Sequence, residues 1–509
     1  MMGRMGETGV GQGPAGATGL LDAGVQAPSG SLHTLARLHR YRQYRAFYLG
    51  YHWETLPRAG DVRLTLNYAR VFVNKVASYL MSKPVGYNAE PVEETRESLR
   101  TSASRQVEAY MDGVSQFNNL AGLDLDTAIM AGALGDGCWT VRWDPTAAMP
   151  RVTGVDPTSI DCRWRGDDLS TLLWLRQGYY VMPAELTPVQ LDRLRAAGGA
   201  LQAYQPLPAY EEWTPREWSL RVGGVTIDEG LNPYGEIPYV LFPNLRVPGE
   251  FWGEGDLVDI MELNRELNKR VSVFSLLLDV AGNPIATITG ATPEETAGLR
   301  VGPNQLWTLP EGASAGVLDL LKAGGADAHM KYIEALYRAM HDISETPRTA
   351  FGDSMGHGMA RSGIALEIEM QPLLHKVARK QALLGRALVA RAQLILRIAR
   401  LHGEKLPAVR LNLSWPPVLP MDREALVAQE TQLVHAMIHS YTRANELLGE
   451  SDPDGALRQV ISQGRELVDA GLLAPARPHS PAQLGVQRLG GLSPSGMGSS
   501  SEMPGGGKG

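Results

Sequence analysis

The stretch from Gly363 to Leu401 constrains this chain most, because Leu366, Met370, Leu373, Val377, Leu384, Leu388, Ile395 and Ile398 recur there at three, four or seven residues. That spacing lays one apolar face along a single helix, roughly 55 Å long at the usual rise per residue. Between these positions stand Lys376, Arg379, Lys380, Arg386, Arg391, Arg397 and Arg400, which are expected on other faces, turned to water or to anions. Pro372 lies inside the pattern, where it removes a backbone donor and crowds the preceding turn. The apolar face continues beyond it, so the sequence predicts a kink rather than an end.

The chain before this helix reads as helix, small β insertion, helix and glycine-rich loop. From about Asp256 to Val280 one face carries Leu257, Ile260, Leu263, Leu267, Val271, Phe274 and Leu278, and Asp256 suits the positive end of the helix dipole. Residues 282–324 break the period, with strand-like stretches at 284–289 and 304–309 and a helix start at Pro293 between them. A second helix is expected from Ala326 to Ser344. Residues 346–362 hold Pro347, Gly352, Gly356 and Gly358, and read as a loop.

Upstream, helices are expected at 32–49, 67–80, 92–118 and 123–134. Short strands follow at 138–143, 172–180, 210–214, 217–222 and 239–242. Downstream, 409–415 alternates as a strand, and 422–471 is helical with a break at 450–455. The tails 1–30 and 475–509 are rich in glycine, alanine, proline and serine. The fold class is therefore α+β, mainly helical.

Charge and motifs bound the chemistry. A net charge of −7 over 509 residues argues against a chain that wraps nucleic acid by neutralising many phosphates, though not against one that lets DNA pass. Cys138 and Cys162 are too few for a disulfide framework or structural zinc, and read as buried thiols. No apolar run approaches the length that crosses a bilayer, and the N-terminus lacks the pattern of a secretory signal, so the expected setting is a cytoplasm, with no membrane partner.

Gly352-Asp-Ser354-Met-Gly356 fits a nucleophile elbow, but a helix and Pro347 precede it where a hydrolase needs a buried strand. His435 and His439 could share a metal at i, i+4 on a helix, yet no third ligand accompanies them. No phosphate-binding P-loop motif occurs, and Gly11-Gln-Gly13-Pro-Ala-Gly16 lacks the strand a dinucleotide fingerprint requires. The basic, tyrosine-rich helix with Arg37, Arg40, Tyr41, Arg42, Tyr44, Arg45 and Tyr48 could stack on single-stranded nucleic acid, or be a surface helix with snorkelling arginines. No catalytic residue, metal site or cofactor is assigned.

Several stretches, in this order, resemble the SPP1-like family of tailed-bacteriophage portal proteins: Tyr48-Leu-Gly-Tyr51, residues 67–87, Val155-Asp-Pro157, Ile237-Pro238, residues 253–268 with Asn264 and Asn268, and Arg361-Ser-Gly-Ile-Ala-Leu366. The resemblance covers roughly 35–470. It implies a ring of about twelve copies at one capsid vertex, a portal-like fold, and a channel through which double-stranded DNA is packaged and ejected. It implies a disordered tail at 1–30, a wing at 31–250 with a long helix and return strand at 364–420, and stem helices at 251–281 and 325–345. A clip at 282–324, a tunnel loop at 346–363, crown helices at 421–474 and a disordered tail at 475–509 complete it.

The partners implied are the terminase large subunit, head-completion and adaptor proteins, and major capsid and scaffolding proteins. The setting would be the virion, with assembly in the host cytoplasm. On these residues, Arg348, His357 and Arg361 of the loop would touch DNA weakly. Leu257, Leu267 and Phe274 would pack against neighbouring subunits, and Leu306 and Trp307 would anchor docking partners. Two other readings stay open: a serine hydrolase using Ser354, and a helical virion adaptor that never meets DNA.

Overall fold

This computed structural model describes residues 32–58, 60–91, 97–198, 204–282, 285–297, 299, 307–318, 325–352, 363–418, 423–450 and 453–470. It is α+β and mainly helical. The chain divides after Val418 into two compact units.

The first unit opens with helices α1 (Leu32–Tyr48) and α2 (Tyr68–Leu80), strand β1 (Gly86–Pro91), and helices α3 (Glu97–Asn118) and α4 (Leu120–Leu134). Asn67 caps α2 by accepting from the Arg70 N–H, which satisfies one of the free donors at a helix start. Two sheets follow. In the first, β2 (Asp136–Asp144) lies between β3 (Met149–Gly154) and β9 (Tyr239–Pro243). The second is an antiparallel meander of β4 (Ile160–Arg165), β5 (Asp168–Val181), β6 (Leu207–Trp213), β7 (Glu217–Val222) and β8 (Val225–Leu231), with α5 (Pro188–Ala196) in the connection from β5 to β6. Its strands alternate, and Val181, Ala209, Val222 and Ile227 turn inward to one small core with Leu186 and Leu194. β3, β4 and β8 were not foreseen from the sequence. In β8 a register shift leaves Ile227 as an extra residue, which interrupts the period-two pattern that marks a strand; in β4 the alternation of Ile160-Asp-Cys-Arg-Trp-Arg165 is intact, the extra residues of its pairing lying on β5.

A short ribbon of β10 (Leu245–Arg246) and β11 (Gly253–Glu254) leads to α6 (Met261–Gly282). Here α4 and the chain at 253–256 approach so closely that a side chain would not fit. A Cβ on Gly253 would lie 2.5 Å from the Gly135 carbonyl oxygen, and Gly135 itself has φ +112°. Only glycine meets both demands. The insertion holds β12 (Ile285–Thr289), α7 (Pro293–Thr296) and β13 (Ser314–Leu318), the two strands pairing antiparallel. Of the strand expected at 304–309, residues 307–309 are not strand and 304–306 lie outside the described residues; the partner of β12 is the later segment β13.

Helix α8 (Gly325–Ile343) returns beside α6, and α9 (Gly363–Leu401) runs unbroken through Pro372. Strand β14 (Val409–Ser414) then pairs with β1 across most of the sequence. The main core gathers Tyr41 and Phe47 of α1, Phe72 and Val73 of α2, Leu134 of α4, Leu257 and Ile260 before α6, Leu267 of α6, and Leu336 and Met340 of α8.

The second unit holds α10 (Arg423–His435), α11 (Tyr441–Leu447) and α12 (Pro453–Asp469). Its first break, at 436–440, falls earlier than the one expected at 450–455. It also ends α10 at His435, so His435 and His439 do not share a helix. His439 pairs instead with the buried carboxylate of Glu430 at 2.8 Å.

Candidate functional site

Helices α6 and α8 run antiparallel, since contacts climb one as they descend the other. Leu267 shares a core with Leu336 and Met340, the Arg270 guanidinium lies 5.7 Å from the Tyr332 ring, and Phe274 lies 6.1 Å from His329. The pair has two different ends. At the end near Leu267 and Met340 those side chains are sealed into the core, with only Ile343 of the large apolar residues left exposed. At the other, Val273, Leu276 and Leu278 of α6 and Met330 and Tyr332 of α8 are exposed.

The sealed end is anchored by one carboxylate. Asp256, just before α6, is buried; Lys376 Nζ lies 3.0 Å from its Oδ1, and Lys380 donates to its Oδ2. Burial alone would raise the carboxyl's pKa, but Lys380 and Lys376 outweigh it and hold it below the usual range. Burial also lowers the pKa of Lys380, which Asp256 partly offsets. The second positive charge is met by oxygens: Lys380 donates to Asn244 Oδ1 at 2.8 Å, and Lys376 to the Ser344 carbonyl at 3.0 Å. Ser344 follows the last residue of α8. One turn of α9 therefore holds the beginning of one helix and the end of the other.

Alongside, the segment 64–67 and the first turn of α2 are bound by side chains spaced four apart on α6. Asn264 accepts from the Ala69 N–H (3.0 Å) and donates to the Leu66 carbonyl (2.9 Å), Asn268 accepts from the Leu66 N–H (2.9 Å), and Ser272 accepts from the Leu64 N–H (2.9 Å). These groups replace a strand neighbour for backbone that would otherwise be costly to bury. Farther along α9, Arg391 is buried against both oxygens of Asp124, with its guanidinium 4.4 Å from the Trp139 ring. Lys376, Lys380 and Arg391 thus face the interior, correcting the expectation that they face water or anions. Leu366, expected on the apolar face, is exposed.

From α8 the chain enters a tight connection. His341 Nδ1 lies 2.6 Å from the Thr346 carbonyl, with its ring edge-on to Phe72, Tyr337 and Phe351. A 3-10 turn, Arg348–Phe351, follows, closed by Gly352 at φ +82°. Thr349 Oγ1 donates to Glu369 Oε2 at 2.8 Å, so residues on either side of 353–362 are tied together.

Of the loop residues expected to meet DNA, Arg348 is half-buried, its guanidinium 5.4 Å from the Tyr337 ring; His357 and Arg361 lie outside the described residues. Leu257 and Leu267 are enclosed by their own chain, 0% and 1% exposed. Side chains already filled around cannot also face a neighbour, which corrects their expected role; Phe274 is half-buried against His329. Trp307 is half-buried and Leu306 lies outside the described residues. Ser354 does too, but the backbone leading to Gly352 is a helix and a 3-10 turn rather than a strand. Among the described residues no cluster of three His, Cys, Asp or Glu could hold a metal, and no helix is long and apolar enough to cross a membrane. In α1, Arg37 is buried, donating to the Pro157 and Ile160 carbonyls, and Tyr41 is buried too. They are therefore not open to a nucleic-acid base.

A family model, phage portal protein, SPP1 Gp6-like, matches residues 210–466, a span that includes α6, the β12–β13 insertion, α8 and α9. No curated protein matches the chain.

Proposed function

We propose that this chain, which belongs to the family of SPP1 Gp6-like phage portal proteins, forms a closed ring whose channel carries double-stranded DNA into and out of the capsid. A phage portal role follows from the family itself; the ring, the channel and the docking surfaces are our reading. The observation that carries it is the contrast within the α6–α8 pair. Val273, Leu276, Leu278, Met330 and Tyr332 are exposed together toward one end of the pair, with Ile343 the one large apolar side chain exposed at the other end, and a neighbouring copy would cover the cluster.

In this reading α6 and α8 are the stem and the β12–β13 insertion is the clip, where Trp307 and Leu306 meet the terminase large subunit and then head-completion and adaptor proteins. Residues 346–363 are the tunnel loop, 31–250 with 364–420 the wing and 421–474 the crown, with capsid and scaffolding proteins outside. The particle's portal vertex is its place. A net charge of −7 suits a channel, because each tight phosphate contact would add a binding well along the path. His357 and Arg361 would give weak, transient contacts. Arg348, beside Tyr337, would instead stiffen the base of the loop.

Electron microscopy with native mass measurement tests the ring. A closed ring of about twelve copies with an opening wide enough for duplex DNA is expected. A monodisperse monomer at micromolar concentration would overturn the reading.

A further inference from the structure

Strand β9 is an edge of its sheet. It pairs with β2, and no strand is hydrogen-bonded to its other side among the described residues, although Leu169, Ser170 and Leu172 at the start of β5 line the space there. Five consecutive residues, Tyr239–Pro243, line a groove of about 410 Å³. Alternate residues alone would line a groove over one face of a strand, so this one follows the strand's edge, where Tyr239, Leu241 and Pro243 turn their carbonyls outward and Leu241 its N–H; the Tyr239 N–H is taken by the Ile237 carbonyl and Pro243 has none. The opposite wall is α9, through Leu383, Ala387, Ala390 and Leu394. An unpaired strand edge against an apolar helix wall has the form of a site for strand addition.

The rim adds charge. Arg246 and Arg386 both line the groove and are exposed, and neither has a carboxylate partner among the described residues. Glu236, on the same rim, is tied to Arg397 at 3.1 Å. Glu250 offsets one of the two arginines, which leaves one positive charge in excess. Nucleic acid fits poorly here, because a single surplus cation would hold a phosphate chain weakly.

We propose that this groove binds an extended segment of another protein, added as a further strand beside β9, with alternate apolar side chains against α9 and a carboxylate matched to Arg246 and Arg386. Backbone pairing would give affinity and the helix wall would select side chains. The inference rests on the strand edge and not on the channel reading, so it can fail or hold independently of the ring.

The test uses the assembled full chain and a fluorescein-labelled peptide alternating valine and serine and ending in two aspartates, followed by anisotropy. Saturable binding is expected. Ala390→Trp, at an exposed position, fills the groove and should weaken binding at least about tenfold. Arg386→Glu should weaken it several-fold, and exchanging the aspartates for lysines should do the same. No binding to the unaltered protein, or equal binding by both variants, overturns the proposal. Binding to dissociated chains but not to the assembly would assign the groove to a neighbouring copy. Binding only after removal of residues 2–30 would assign it to the chain's own N-terminal segment. Either result also overturns it.

Discussion

The two ends of the α6–α8 pair are built from similar residues and finished in opposite ways. Near Leu267 and Met340 the apolar side chains meet α1, α2 and α4, and Lys376 and Lys380 of α9 bind Asp256, Asn244 and the Ser344 carbonyl at the helix ends. At the other end Val273, Leu276 and Met330 have the same chemistry and remain open. The first end is a problem of folding, solved within one chain. The second is a problem of assembly, and the difference between them locates where one subunit stops being sufficient. It also separates two kinds of experiment: changes at the sealed end should act on chain stability, changes at the open end on association.

The largest effect should come from Asp256→Ala. It leaves Lys376 and Lys380 buried without their carboxylate, a loss of about 3–5 kcal/mol for a broken buried pair. Urea unfolding would read it, with the midpoint expected to fall sharply. A midpoint within experimental error of the unaltered protein would mean that the anchor contributes nothing, and the comparison would lose its first half.

How much of this the sequence revealed depends on what each signal can encode. The long helix was legible from end to end because its apolar period survives Pro372. The same period held the anchor in plain view: Lys380 stands seven residues after Leu373, and Arg391 seven after Leu384. Both are in phase with the buried stripe, and reading them as surface charges gave residue type more weight than position. Their partners, Asp256 and Asp124, lie 124 and 267 residues away, and nothing local announces such pairings. Asn264 and Asn268 drew notice through resemblance alone, since a helix side chain that binds an extended segment leaves no periodic trace. The α6 face was read as a single surface, although its early part faces its own chain. Periodicity finds an apolar stripe but not what covers it. The extra residue Ile227 hid β8 for the same local reason, whereas β4 alternates intact from Ile160 to Arg165 and was legible.

A smaller effect distinguishes two buried carboxylates of the sealed region. Asp136, at the start of β2, accepts from the Tyr41 hydroxyl and from the Gly253 N–H at 2.8 Å. Burial outweighs these donors, with Arg37 and Arg40, and pushes its pKa up to about 6. Asp256 is shifted the other way by its lysines. The signs follow from proton binding. A raised carboxyl binds its proton more tightly in the folded chain, so its contribution is present in acid and is lost as pH rises from its unfolded value through about 6. A depressed carboxyl contributes above its unfolded pKa and loses that contribution as pH falls through the folded one. Asp136→Asn removes the first titration and leaves the second. The difference in unfolding midpoint, unaltered protein minus variant, should decline as pH rises from about 4 to 6.5, the span of that shift. A difference that stays flat or climbs there would show that Asp136 is not held protonated by burial.

The smallest effect on the chain should accompany the clearest effect on assembly. Leu276 is 46% exposed on α6, so Leu276→Asp should move the unfolding free energy of the chain by no more than about 0.5 kcal/mol, as for a surface position. If the open end is a contact between copies, the same change buries an unpaired charge in every interface of a closed ring, and each copy bears the penalty. Native mass measurement should then find free chains in place of rings, while the circular dichroism and urea midpoint of those chains stay as before. Intact rings would mean that the apolar end faces the lumen, solvent or another protein. Loss of fold together with loss of the ring would mean that Leu276 belongs to the sealed end, and that the division between folding and assembly lies farther along the helix pair.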